Sequence, residues 1–501
     1  MRIIMKMKIT LMLVAMLSTL NINAFTVETA AGEFGQTIGA DTTATSIIVI
    51  GELNAADFAF IAQSMSELST LDLSGAKIVA YTGKAVITEQ QVYEADVLPD
   101  YALMGSNIST LILPNSLKKI GDGALAATQI TSIEIPASVT TIGMGAFSNC
   151  DELTAISIPA TVTTIGSHAF MGCDQLATVA IAGATEINDA TFARCPQLTN
   201  VTLSASTTSI GNSAFNGCGN VVTFSFGNKL EFIGSEAFQA TGLAEVDLSA
   251  CNALDSIGDW AFAHCAALVN VKLPDGLSAI GHGAFFEDSQ LSTLTIPSSC
   301  TALSDYMLKG TIALDSTAII NSSVEHIGNY SMMGWEQISV FTLPPTVIYI
   351  GDNAFEGWTS LERLNAEDLT EVPALGSNVW QGLNQENIKL VVSNDMFNAF
   401  EAAEQWTEFD ITNSTAIEEI ITDDPDSAVT AHFEGFALHL NATNEIAEVK
   451  LYDSSGRQYI YETPQSTQFT INTDDWNCRI YILKVRLTDG TSSTLKLARR
   501  Q

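Results

Sequence analysis

The sequence predicts a solenoid of short parallel strands with a period of about 23 residues, followed by a small C-terminal β-sandwich. Three observations predict it. The string Leu153-Thr-Ala-Ile156-Ser-Ile158-Pro159, then Val162, Ile165-Gly166, Ala169-Phe170 and Cys173, recurs along most of the chain. The position of Phe170 is held by an apolar residue in each of 13 copies: Leu103, Leu125, Phe147, Phe170, Phe192, Phe215, Phe238, Phe262, Phe285, Leu308, Met332, Phe355 and Trp380. Past residue 411 the period stops and segments of alternating polarity take over.

Taken in order, residues 1–24 read as a secretory signal peptide. Arg2, Lys6 and Lys8 precede an apolar run from Ile9 to Leu20, and Ala24 is a small residue at the expected cleavage point. That run is too short to span a bilayer. Residues 25–100 read as an N-terminal cap merging into irregular first repeats, with a helical pattern from Ile61 to Leu68 and a strand around Leu71 and Leu73.

Residues 101–411 read as the solenoid with its C-terminal cap. In each unit the apolar residues alternate over a short strand with one buried face, and a Pro (Pro114, Pro136, Pro159, Pro274, Pro297, Pro344) stops it. The Ile-Gly pair is expected to turn the chain, the Gly permitting a positive φ, and the Ala-Phe segment supplies an inward wedge. One unit cannot bury its apolar side alone, so neighbours must stack about 4.8 Å apart around a shared core. That is the architecture of a leucine-rich-repeat solenoid. Ile388 to Val392 reads as a last strand, and Phe397, Phe400, Ala403 and Trp406 as a closing helix.

Residues 412–428, with Glu418-Glu419 and Asp423-Asp424-Pro425-Asp426, read as an acidic linker. Residues 429–501 read as the sandwich, its strands expected at His432–Leu440, Ile446–Tyr452, Gln468–Asn472, Ile480–Leu487 and Ser493–Leu497.

Composition excludes several function classes. The chain carries 21 Lys plus Arg against 56 Asp plus Glu, a formal charge of −35, so its surface repels nucleic acid and anionic lipid. With 47% apolar residues it has ample surface to bury and is not a disordered chain.

The I-x-I-P-x-x-V-x-x-I-G-x-x-A-F-x-x-C repeat resembles that of the BspA-like leucine-rich-repeat surface proteins of bacteria, over roughly residues 45–411. Both caps resemble theirs too. The resemblance implies an exported, non-catalytic cell-surface protein that adheres to host or bacterial molecules. The segments Val449–Arg457 and Tyr481–Gly490, with Lys496, Arg499 and Arg500, resemble the C-terminal sorting domain of type IX secretion. They imply contact with the secretion machinery, although Arg479 stands where a Gly is usual.

No catalytic, cofactor-binding or metal-ligating constellation is visible: there is no H-E-x-x-H, paired C-x-x-C, G-x-S-x-G or D-x-D-x-D-G pattern. Cys150, Cys173, Cys195, Cys218 and Cys265 share one repeat position, three after the Phe, which holds Thr241, Asp288, Trp335 and Trp358 in other copies. Buried reduced thiols, one or two disulfides between neighbours, and a metal site are the readings open for this row. The candidate binding face is the outward side of the strands, with Glu245, Asp247, Asn270, Lys272, Thr293 and Thr295 at its centre. A protein partner, host or bacterial, suits these varied polar residues. A structural surface coat and a glycan-binding module are the alternatives.

Overall fold

The computed structural model describes residues 25–85, 92–314, 323–413, 428–434, 437–453, 458–472 and 480–498. The leader, the acidic run from Glu418 to Asp426, the Ser454–Arg457 turn, Cys478, Arg479, Arg499 and Arg500 lie outside the described residues. Two compact units emerge. One runs to Val392 and includes Asn398–Ile411; the other comprises Ser393–Phe397 and the chain from Thr412 onward.

In the first unit the repeats ladder to one another through three kinds of segment. The outward strands pair in parallel, as in Ala155–Ile158 with Thr178–Ile181, where Ile156 faces Val179 and Ile158 faces Ile181. A second ladder of two-residue strands follows, Lys119–Ile120 on Thr141–Ile142 on Thr164–Ile165. It lies outside the sequence expectation of one strand per repeat because a Thr-Ile pair is too short to show alternation. The third segment is the Ala-Phe turn. There the N–H groups of His168, Phe170 and Gly172 donate to the carbonyls of Asp189, Thr191 and Ala193 in the next repeat, at 2.9, 2.9 and 2.8 Å.

The glycines of the Ile-Gly pairs do not have the role expected of them. Gly143, Gly166 and Gly281 are not at positive φ. A Cβ on Gly166 would instead lie 2.5 Å from the backbone nitrogen of Met144, and one on Gly281 2.5 Å from that of Asp259. Glycine is required because the previous repeat's backbone passes where a side chain would be. The left-handed residues are those flanking the Phe, such as His168 and Gly172 around Phe170, or Trp260 and His264 around Phe262.

The Phe row is continuous. Phe147, Phe170, Phe192, Phe215, Phe238, Phe262 and Phe285 are fully buried and stacked in order, with neighbouring ring centroids 5.0 to 5.8 Å apart. Leu308, Met332 and Phe355 extend it, and Trp380 stacks on Phe355 at 5.0 Å. Trp380 in turn meets the edge of Trp406 at 5.2 Å, and Trp406 that of Phe400 at 5.1 Å, which closes this end of the row. The closing helix is one turn only, Phe397–Glu401.

At the other end Phe25–Thr29, Ser46–Leu53, Thr70–Ile78 and Thr110–Ile112 form a parallel sheet. The cap helix is Ala55–Ser64, earlier than the Ile61–Leu68 pattern suggested. A capping box sets its start: Asn54 accepts from the Ala56 N–H, and the buried Asp57 carboxylate accepts from the N–H groups of Asn54, Gly32 and Phe34.

The second unit holds one six-stranded antiparallel sheet, where two packed sheets were expected. The reason is the 17-residue strand Ala437–Asp453, which replaces two shorter ones. Its first half pairs with Val429–Glu434 and Ser466–Asn472, its second half with Gln458–Glu462 and Ile480–Leu487, across register shifts near Ile446. His432–Leu440 is accordingly not one strand: His432 pairs with His439 on the next. Val429, Leu438, Ile446, Val449, Leu451, Leu483, Val485 and Leu495 form its core.

Replacing Phe192 by Ala in this stack is expected to cost about 3–5 kcal/mol by removing a ring with neighbours on both faces. Chemical denaturation checks it, and a loss under about 1 kcal/mol would contradict the stacked-core account.

Candidate binding surface

The strands Glu245–Asp247, Asn270–Lys272 and Thr293–Leu294 form one parallel three-stranded sheet. Its register sets Glu245, Asn270 and Thr293 side by side and Asp247 beside Lys272. Val246, Val271 and Leu294 between them are buried, so alternation turns the polar set outward. Thr295, exposed, follows directly on the last strand. Five of the six expected residues are exposed, and Asn270 is half-buried.

Asp247 is the most engaged of them. Its carboxylate accepts from the hydroxyl and N–H of Ser249, at 2.6 and 3.1 Å, and lies 3.4 Å from the Lys272 ammonium. The Ser249 hydrogen bonds, and secondarily Lys272, hold its carboxyl below the usual carboxylate range. Asn270 is the reverse case: its Oδ1 is buried without a hydrogen-bond partner.

The outward face is not one unbroken ladder. The strands Ala155–Ile158, Thr178–Ile181 and Asn200–Thr202 form one sheet, and the next begins only at Glu245. Between them Phe224 and Phe226 turn edge-on against Phe215, Phe238 and Phe262 of the core row. Where the ladder breaks, Thr199–Thr202 and Thr223–Ser225 line an open depression of about 350 Å³.

Below the surface, the cysteine row has a precise chemistry of its own. Seven described cysteines are free and buried. The Sγ–H groups of Cys150, Cys173, Cys195, Cys218 and Cys265 donate to the carbonyls of Leu125, Phe147, Phe170, Phe192 and Phe238, at 3.0 to 3.2 Å. Each thiol thus points at the previous repeat's backbone rather than at the next sulfur. Burial pushes the Cys218 and Cys265 thiols up to about 12, and the others in the row upward as well, so they are not nucleophilic thiolates. Trp335 and Trp358 use their indole N–H for the same bond, to the carbonyls of Leu308 and Met332.

Asp288 breaks that rule. It is fully buried, its Oδ1 accepts from the Cys265 N–H at 2.7 Å, and its Oδ2 has no partner. Only the protonated acid can donate as the other occupants of the slot do, and burial raises its pKa well above the ordinary value of 3.8.

Among the described residues no group of three or more His, Cys, Asp or Glu is placed to hold a metal, and no helix is long and apolar enough to cross a membrane. His264 lies 3.4 Å from Glu287, both exposed, and exposed His282 lies 3.9 Å from half-buried Asp305.

Such a scaffold of laddered repeats around a continuous apolar row is that of a leucine-rich-repeat protein. The model of the BspA type leucine rich repeat region matches residues 96–218, 185–315 and 314–421, and the chain belongs to that family. Among solved structures it is similar to a leucine-rich repeat protein from Bacteroides ovatus, at 20% identity and TM-score 0.55, over 78% of this chain and 93% of that one. It is also similar to a leucine rich cell surface protein from Faecalibacterium prausnitzii, at 27% identity and TM-score 0.33, over 50% and 82%. No curated protein matches the chain.

Replacing Asp288 by Asn supplies the missing donor and should stabilise the protein. With the folded pKa raised, the unfolded chain loses its proton first as pH rises. Wild-type stability from this group is therefore complete below about pH 3.8 and declines as pH climbs toward the folded value. The advantage of D288N should grow with pH from 4 to 8 in denaturation curves; an advantage that is absent or shrinks with pH contradicts the assignment.

Proposed function

We propose that this chain is an exported cell-surface protein that binds an extracellular protein of a host or neighbouring bacterium, without catalysis. The observation that carries this reading is the outward patch of Glu245, Asp247, Asn270, Lys272, Thr293 and Thr295. There charge and hydrogen-bonding groups change from strand to strand while the inward residues stay apolar. A laddered scaffold holds such side chains at fixed spacing, which lowers the entropy cost of engaging a partner. The basic, apolar leader before Ala24 supports export. The resemblance of residues 429–501 to a sorting domain supports delivery by type IX secretion.

The test is a variant with Glu245, Asp247, Asn270 and Lys272 replaced together by Ser, compared in adhesion to host matrix proteins and to bacterial cells. Its stability should stay within about 2 kcal/mol of wild type, since exposed sites contribute little each. Adhesion should fall at least about tenfold. Adhesion equal to wild type would reject the strand face, and surface display of a chain lacking residues 429–501 would reject the sorting role.

A further inference from the structure

The turn segments carry a second surface, distinct from the strand face. In every repeat the residue two before the Phe row adopts a left-handed backbone, and in most copies it is small or polar, as at Gly123, Gly145, Ala190, Ser213 and Asn353. An aromatic ring holds it at Tyr101 and, in nearby repeats, at Trp260, Tyr306 and Tyr330, the last three at φ values of 57°, 59° and 55°. Bulky side chains are costly there. Those last three rings are only half-buried, so core packing does not offset that cost.

They form one strip with Phe286. Tyr306 stacks on Tyr330 at 4.9 Å, Trp260 lies 6.1 Å from Tyr306, and Phe286 meets Trp260 edge-on at 5.2 Å. The Trp260 ring lies where a Cβ on Gly283 would be, so glycine in the intervening repeat lets the strip run on without a gap. Hydrogen-bonding groups flank it. The Lys309 ammonium sits 5.6 to 5.7 Å from the centroids of Phe286, Tyr306 and Tyr330, and the His264–Glu287 pair adjoins Phe286.

We propose that Trp260, Phe286, Tyr306 and Tyr330, with Lys309 and the His264–Glu287 pair, bind a neutral glycan. The charges decide against other ligands. Lys309 already occupies the position over three rings that a ligand cation would take. Glu287, Asp305 and the −35 charge of the chain oppose a polyanion. A protein hot spot would sit in a desolvated pocket, whereas these rings form a narrow half-exposed strip. Sugar rings present apolar C–H faces edged by hydroxyls, which suits aromatic carbons bordered by both donors and carboxylate acceptors.

The experiment titrates the full chain with cellohexaose, xylohexaose, mannohexaose and chitohexaose, with heparin as the anionic control. Binding is read by calorimetry and tryptophan emission. Trp335, Trp358, Trp380 and Trp406 are buried, which makes half-buried Trp260 the reporter among the described tryptophans. The variant is Y306N/Y330N, because the scaffold itself places Asn at the equivalent Asn353 and Asn378, and circular dichroism verifies its fold. W260F is the second variant: it should lose the emission change and weaken binding by calorimetry less than Y306N/Y330N does, since an aromatic ring stays in place.

At least one neutral hexasaccharide should bind, Y306N/Y330N should weaken it at least about tenfold, and the strand-face variant should bind as wild type does. Binding of heparin alone, no binding of any neutral hexasaccharide, or equal binding by Y306N/Y330N would overturn the proposal. Loss of a protein ligand in Y306N/Y330N without glycan binding would assign the strip to protein recognition instead, and would overturn it too.

Discussion

Everything in the first unit follows from holding each backbone at hydrogen-bonding distance from the one before it, at up to three places in a repeat. The strand, the two-residue strand and the Phe turn all ladder to their neighbours. That spacing explains the required glycines, since a Cβ on Gly166 or Gly281 would meet the previous backbone. It also explains the flat ring row, because parallel side chains repeated at ladder distance can only stack. The slot beside the Phe favours a donor for the same reason: in the Cys and Trp copies a carbonyl of the preceding repeat faces it.

The ladder also accounts for part of the acidity. The second residue after the two-residue strand, when Asp or Asn, accepts through Oδ1 from the N–H at the same position one repeat on. Asp122 to Met144, Asp189 to Asn212, Asp259 to His282, Asp305 to Asn329 and Asp352 to Ser377 all do so, at 2.6 to 2.9 Å. These carboxylates cap backbone rather than await a ligand. With inward rows and turn glycines committed to stacking, variation is free only outside, on the strand face and along the turns. Those are the two places where this chain departs from its own repeat.

Much of this was legible in the sequence. The Phe row and the strand preceding each Pro have large, regular signals, and the outward set around Asn270 followed from alternation alone. The short Thr-Ile strands had none, being two residues long. Gly166 was misread because a glycine demanded by a neighbouring backbone looks the same as one demanded by a positive φ. The left-handed positions were hidden because Trp260, His264, Tyr306 and Glu287 stand at them as well as Gly145, so no one residue type marks them. The strip of Trp260, Phe286, Tyr306 and Tyr330 emerges only when the chain is folded into register, since its members lie 20 to 26 residues apart. In the second unit, a strand of 17 residues read as two because its register shifts near Ile446.

If each repeat depends only on its neighbours' backbone, one whole unit is removable. Excising residues 155–177 brings Thr178 to the place of Ala155, its partner in the ladder, and leaves Phe147 facing Phe192. Calorimetry of that protein should show a cooperative transition with Tm within about 10 °C of wild type, and near-ultraviolet dichroism should keep the aromatic signal. A control excision of residues 155–166, about half a repeat, should abolish both. Loss of cooperative unfolding on removing the whole repeat, or its survival after the half-repeat excision, would contradict the account.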